Sequence, residues 1–287
     1  QPTDGEYGEG GNVYIRITNS NGYTNPTYKW FKDGIEQGIT TSYYTASIDG
    51  DYFVVVEEGT CTSGSRVIEV RKGTGNITKP EIASINGEYV ICADGGEVIL
   101  KVTTPYTGTP TYTWYKDGVA QTNSNSVIFR ATEAGHYSVL VSEGSCTAMS
   151  DTKEVTKPNN ASSIAKPVLS VQPADGGYCE GGNVYMTITN TNAYTNPTYT
   201  WFKNGIEQSI TTSYFTASVD GDYFVVVEEG TCTSGSRVIE VRKASGSITK
   251  PQLTMSPSGG KLCAGGNVYF TVSNATIYTN PKYNWYK

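Results

Sequence analysis

The side chains of this 287-residue chain that could carry redox, metal or nucleophilic chemistry are few: six cysteines, one histidine and several aspartates in turns. The cysteines fall in two series. Cys92, Cys179 and Cys263 each precede a stretch of alternating apolar residues, and Cys61, Cys146 and Cys232 each follow another. No Cys-x-x-Cys and no paired histidine occurs, so the spacing is not that of a zinc site. Disulfides in an oxidising compartment are the natural chemistry. His136 stands where the other copies of its segment carry Asp51 and Asp222, which marks a solvated turn position rather than a general base. Asp49 with Asp51, and Asp220 with Asp222, supply two carboxylates per turn, whereas calcium wants six to eight oxygens. No nucleophile–base pair, metal cluster or phosphate loop is present, so the segment reads as non-catalytic and without a cofactor.

The elements that hold these residues repeat. The stretch from Gly11 to Lys72 returns from Gly182 to Lys243 nearly unchanged, and Cys61 to Cys232 is an offset of 171. A more distant copy lies between them and another opens near Pro251, so Trp30, Trp114, Trp201 and Trp285 stand 84, 87 and 84 residues apart. That period exceeds the roughly 20–50 residues of a solenoid unit and fits a small domain with its own core. The expected units are 1–79, 80–166, 167–250 and 251–287. Gln1 aligns with Gln172, so the first unit lacks the KPVLSV-like opening of the third. The chain reads as a stretch of a longer array that grew by pairs of units.

Within each unit apolar residues alternate in twos. Val13, Ile15 and Ile17 face one side and Tyr14, Arg16 and Thr18 the other; Val98, Leu100 and Val102, and Val184, Met186 and Ile188, repeat the pattern. Asp33-Gly34, Asp117-Gly118 and Asn204-Gly205 are hairpin signals. Strands are expected around residues 28–30, 43–48, 52–57 and 66–70, with Cys61 in a loop. No helical period appears. The fold class is all-β: tandem antiparallel sandwiches of six or seven strands in an elongated array.

The segments YKWFKDG, YTWYKDG and YTWFKNG resemble the third strand of immunoglobulin-like domains, whose Trp fills the core. IDGDYFVVV, TEAGHYSVLV and VDGDYFVVV resemble the turn and sixth strand, with Tyr52, Tyr137 and Tyr223 at the tyrosine-corner position. The resemblance implies that Trp30, Trp114, Trp201 and Trp285 and these tyrosines are core residues. The two bridging cysteines of antibody domains are replaced by Ile17 and Val54, Val102 and Val139, and Ile188 and Val225. This variant, with a Cys-x-Gly-Gly opening and a Gly-x-Cys after the sixth strand, is similar to the immunoglobulin-like repeats of Bacteroidota cell-surface adhesins. Members of that group are exported by type IX secretion, and some serve gliding motility.

That topology leaves two disulfide pairings open. Same-copy pairing joins Cys92 with Cys146 and Cys179 with Cys232. In an immunoglobulin-like sandwich, however, the second and sixth strands run the same way, so a residue before one and a residue after the other lie at opposite poles. A disulfide needs Cα atoms within about 7 Å, while a six-residue strand spans roughly 20 Å. Stacked units would then pair head to tail, as Cys92 with Cys232. Cys61, Cys179 and Cys263 would look to neighbours, and Gly8, standing where a cysteine is due, would leave Cys146 free.

Net charge is −6 with a pI near 5.0, which excludes a basic stripe for nucleic acid. No apolar run reaches the length of a membrane span. The loops at residues 23–28 and 194–199, with variants at 106–112 and 278–283, place Tyr23, Tyr28, Tyr194 and Tyr199 near a Pro turn. Such aromatics could stack on a sugar or a protein, or simply belong to the turn. Three sequons, at Asn76, Asn160 and Asn274, would be inert in a bacterial protein. The expected function is an extracellular structural and adhesive array at a bacterial surface, extending a binding tip or forming a filament. Its partners would be neighbouring repeats, other copies in a filament, and a surface polysaccharide or protein receptor. The alternatives are modules that each bind carbohydrate or protein, or the spacer of a secreted enzyme whose catalytic domain lies elsewhere.

Overall fold

The computed structural model describes residues 5–122, 124–144, 146–258, 267–279, 281–283 and 285. Apart from short 3-10 turns at Ser20–Gly22, Thr191–Ala193 and Ala275–Ile277, their regular structure is all strand. The residues expected to make hairpins do so. Asp33 and Gly34, Asp117 and Gly118, and Asn204 and Gly205 all carry positive φ, between 49° and 79°. This backbone matches the twist of the flanking strands and is tolerated only by such residues.

The third repeat shows the architecture in full. Leu169–Gln172, Val184–Ile188 and Tyr214–Ala217 form one antiparallel sheet in that order. Gly177–Glu180, Ile239–Ser247, Gly221–Glu229, Thr198–Lys203 and Ile206–Gln208 form the other, with Cys232–Gly235 folding back on Gly221–Glu229. Trp201, Met186, Val225 and Tyr223 are buried between the sheets. The indole Nε1 donates to Thr212 O at 2.9 Å, and the Tyr223 hydroxyl donates to Val219 O at 2.9 Å. The same bonds recur as Trp30 to Thr41 O and Tyr52 to Ile48 O, and as Trp114 to Ser126 O and Tyr137 to Glu133 O. Each buried polar tip thus has a partner, so the aromatic bodies sit in the core without an orphaned donor. The chain is a tandem of immunoglobulin-like β-sandwiches.

The structure departs from the sequence reading at four places in the fold. The sandwiches are not wholly antiparallel: Glu6–Glu9 pairs in parallel with Ile68–Asn76, and Gly177–Glu180 with Ile239–Ser247, each with a bulge. These openings are rich in Gly and Glu and carry no alternating pattern by which a strand shows itself. Cys61–Gly64 is a strand and not a loop, because Gly59 at φ 61° turns the chain straight back onto Gly50–Glu58. Tyr14, assigned to the outward face, is 1% exposed. Trp285 is 56% exposed, contrary to its assignment to a core. Around it the described residues form only the Leu253–Ser256 and Tyr269–Val272 pair, with no second sheet to cover the indole.

In the first repeat, among the described residues, Val13–Arg16 pairs on one side only, with Tyr43–Ala46. Where Leu169–Gln172 lies in the third repeat and Ile82–Ser84 in the second, the first has a groove of about 820 Å³ lined by Val13, Ile15, Ile17, Trp30 and Val54 among others.

Candidate functional site: the joints between repeats

The strongest concentration of buried polar and covalent contacts outside the three cores lies where consecutive repeats meet. Cys92 and Cys232 are bonded, with Cα atoms 5.7 Å apart and 140 residues of separation. This is the head-to-tail pairing. The same-copy alternative is not formed: Cys146 is a buried thiol, Cys179 a half-buried one and Cys61 an exposed one. Cys263 lies outside the described residues. The bridge sits at the opening of the Val98–Val102 strand and the start of Cys232–Gly235, the two poles that the parallel run of second and sixth strands brings together between neighbours.

Beside the bridge, Glu97 N donates to Thr233 O at 2.9 Å and the Thr233 hydroxyl donates back to Glu97 O. The Ser234 hydroxyl reaches Gly95 O at 2.7 Å. The Glu97 side chain is 4% exposed and is held by Arg130 through Nε and Nη2 at 2.9 and 2.7 Å. Arg130 also donates to Ser236 O at 2.8 Å and Gly235 O at 2.9 Å and lies over the Phe224 ring. A buried carboxylate must be paired and hydrogen-bonded to offset its desolvation, and the bidentate Arg130 contact does both. Ile99, Ile128, Phe202, Phe224 and Val226 close the joint with an apolar cluster.

The first and second repeats meet in the same frame. Asn12 N donates to Thr147 O at 3.1 Å and the Thr147 hydroxyl to Asn12 O at 3.1 Å. The Asn12 side chain accepts from Met149 N at 2.6 Å and donates to Met149 O at 3.1 Å. Tyr14 packs on Tyr115 at 4.6 Å with Leu140 and Met149, and its hydroxyl donates to Gly118 O at 2.9 Å. Burial, with Tyr115 and Tyr43 adding, pushes the Tyr14 phenol far above its usual pKa. A Cβ built on Gly8 would lie 2.7 Å from Cys146 Sγ, so the missing cysteine faces the thiol left without a partner.

Two of the four loop tyrosines belong to the cores and not to an open ligand-contact surface. Tyr28 and Tyr194 are buried in the cores of their repeats, and Tyr23 and Tyr199 pack against the same cores. The Tyr194 hydroxyl donates to Ala165 O at 2.9 Å. The backbone of the first loop is held by Glu58, whose carboxylate accepts from Asn25 N at 2.8 Å and from Thr24 N, bonds that lower its pKa, and that of the third repeat's loop by Glu229, which accepts from Asn196 N at 2.9 Å. His136 is exposed in its turn, 3.5 Å from Asp117. Asp49 and Asp220 accept from Tyr7 and Tyr178 at 3.0 Å. Among the described residues no three His, Cys, Asp or Glu side chains gather as a metal site, and no helix is long and apolar enough to cross a membrane.

Sequence reasoning missed Asn12, Tyr14, Glu97 and Arg130. A signal was available: Glu97 follows the only Cys-to-Val opening with an extra residue, and Arg130 stands where the other copies have Thr45 and Thr216.

No family model matches the chain, and no curated protein matches it. Among solved structures, the N-terminal four Ig domains of Dscam1 isoform 6.44 are similar at 14% identity, covering 88% of this chain and 77% of that one with a TM-score of 0.25. Those of isoform 6.9 are similar at 12% identity, covering 83% and 71% with a TM-score of 0.23. The fold assignment itself rests on the strand pairing described above.

Proposed function

We propose that the chain is a load-bearing part of an extracellular array, in which sandwiches are coupled head to tail to project or connect an adhesive surface. The observation that supports this reading is the joint between the second and third repeats, where a disulfide, a buried ion pair and a shared apolar cluster lock two domains that each have their own core. A flexible linker would leave such neighbours independent. The disulfide also redirects force. Tension entering at Cys92 passes to Cys232 through one covalent bond, so the residues between are shielded from extension. A disulfide fits an oxidising, extracellular setting, and a surface-displayed bacterial adhesin or filament is the setting in which such reach is used.

Single-molecule stretching of the chain tests this. Under oxidising conditions the fully extended length is expected to be shorter by roughly 460–500 Å than after reduction, from 140 bridged residues at about 3.3–3.6 Å each. Equal lengths in the two states would refute a force-bearing bridge.

A further inference from the structure

The two joints are built on one frame but with different residues, and the difference is complementary. In the first joint the leading repeat presents Asn12, Tyr14 and Tyr43 to Tyr115, Leu140 and Met149. In the second it presents Glu97, Ile99, Ile128 and Arg130 to Phe202, Phe224, Val226 and Gly235. The sets do not interchange. A Cβ on Gly235 would lie 2.3 Å from Glu97 Oε1 and 2.7 Å from Arg130 Nη2, so the methionine found at the matching position 149 would displace the Glu–Arg pair from its present geometry. Conversely, Met149 meets an Asn side chain that bonds only its backbone.

Among the described residues the first repeat leaves a receiving face uncovered and the third a presenting face. The first repeat carries Phe31, Phe53, Val55 and Cys61–Gly64, the same residues as the receiving face of the third. Its Phe31 and Phe53 rings stack at 4.8 Å as Phe202 and Phe224 do at 4.9 Å. The third repeat carries Asn183, Tyr185 and Tyr214, the same residues as the presenting face of the first, and there Tyr185 is 48% exposed.

We infer that the uncovered face of the first repeat binds a domain of the middle-repeat type, one that presents Glu, Ile, Ile and Arg as Glu97, Ile99, Ile128 and Arg130 do, and that it rejects the Asn–Tyr–Tyr face of the first and third repeats. The inference rests on the array reading above and adds a pairing rule to it: each receiving face fits one kind of presenting face and not the other. Cys61 is then the half of a bridge that the incoming domain completes. Its thiol and the partner thiol each lose a proton and an electron to glutathione disulfide, which leaves as two glutathione thiols, and one S–S bond forms.

The rule is tested with the whole chain. In the unaltered chain the uncovered faces of the first and third repeats are of unmatched kinds. Asn183→Glu, Tyr185→Ile, Tyr214→Ile and Thr216→Arg, with the loop 93–96 grafted in place of 180–182, convert the third repeat to the matching kind. In a glutathione redox buffer the converted chain is expected to join end to end, with at least about tenfold more Cys61–Cys179 linked peptide between chains than the unaltered chain. Recovery of the Cys92–Cys232 peptide from the same digest shows that the altered repeat is folded. Equal linkage in both chains, or none in a converted chain that retains Cys92–Cys232, overturns the pairing rule and leaves the array reading standing. Loss of Cys92–Cys232 from the unaltered chain removes both.

Discussion

Gly8→Cys should complete a bridge with Cys146. The Cβ position at residue 8 is 2.7 Å from Cys146 Sγ, against about 3 Å between Cβ and the far sulfur in a relaxed disulfide. The obstacle is the Gly75 backbone, whose O and C lie 2.5 and 2.7 Å from that Cβ and must move by roughly half an ångström or more. The third repeat shows that the move is available, since Cys179 occupies the corresponding position in the same bulged parallel pairing. The new loop is nearly as long as the 140 residues closed by Cys92 and Cys232. Loop closure of that length gives an upper limit of about 5 kcal/mol, and the backbone adjustment brings the expectation to about 3 kcal/mol. That corresponds to a rise of roughly 6–12 °C in the transition that melts the first two repeats. Calorimetry of the oxidised and reduced variant measures it, and non-reducing peptide mapping identifies the bond. A map that joins the new thiol to Cys61, or finds Cys146 still alkylated while Cys92–Cys232 is intact, would refute the assignment of Gly8 to an unstapled joint.

Glu97→Ala removes one half of a buried ion pair and leaves Arg130 with Ser236 O, Gly235 O and the Phe224 ring alone, so the second joint should weaken by about 3 kcal/mol, read as a fall in the equilibrium stability of Cys92–Cys232 against glutathione. Tyr137→Phe deletes the hydroxyl bonded to Glu133 O and is expected to cost about 1 kcal/mol in denaturant unfolding, while Trp114→Ala at the same core costs about 3–5 kcal/mol. Burial raises Tyr52 and Tyr137 to about 12, with charged neighbours adding; the folded state therefore holds these protons more tightly than the unfolded one. Their contribution is complete below pH 10 and is lost as pH rises towards 12, which alkaline absorbance titration and unfolding across that window should show together. A peptide with the sequence of residues 166–172 should add a strand beside Val13–Arg16, quenching or shifting Trp30 fluorescence, whereas one with lysines in place of the residues matching Leu169 and Val171 should not.

Most of the sandwich is legible in the chain because its signals are local. The alternation through Val98, Leu100 and Val102, the Asp-Gly turns and the Trp–Tyr pair of each repeat specify strand, turn and core face without reference to distant residues. The polar tips confirm it: each corner tyrosine finds a carbonyl four residues back. The loop tyrosines defeat the same reasoning, because whether Tyr28 faces solvent or core depends on how the loop folds over the sandwich end. The parallel pairing of Glu6–Glu9 is equally invisible, since its four residues carry no alternation and only Tyr7 favours a strand.

The joints divide most sharply. The sequence determines which residues exist at each pole and that a cysteine is missing at Gly8. It does not determine what those residues experience. Cys-Thr-Ser-Gly is exposed throughout at Cys61–Gly64 and buried throughout at Cys232–Gly235, although the two strands and their flanks are the same. Tyr14 and Tyr185 differ in the same way, 1% against 48% exposed. Burial of these identical segments comes from a neighbouring domain more than a hundred residues away in sequence, and only the tertiary structure decides whether that neighbour is in place.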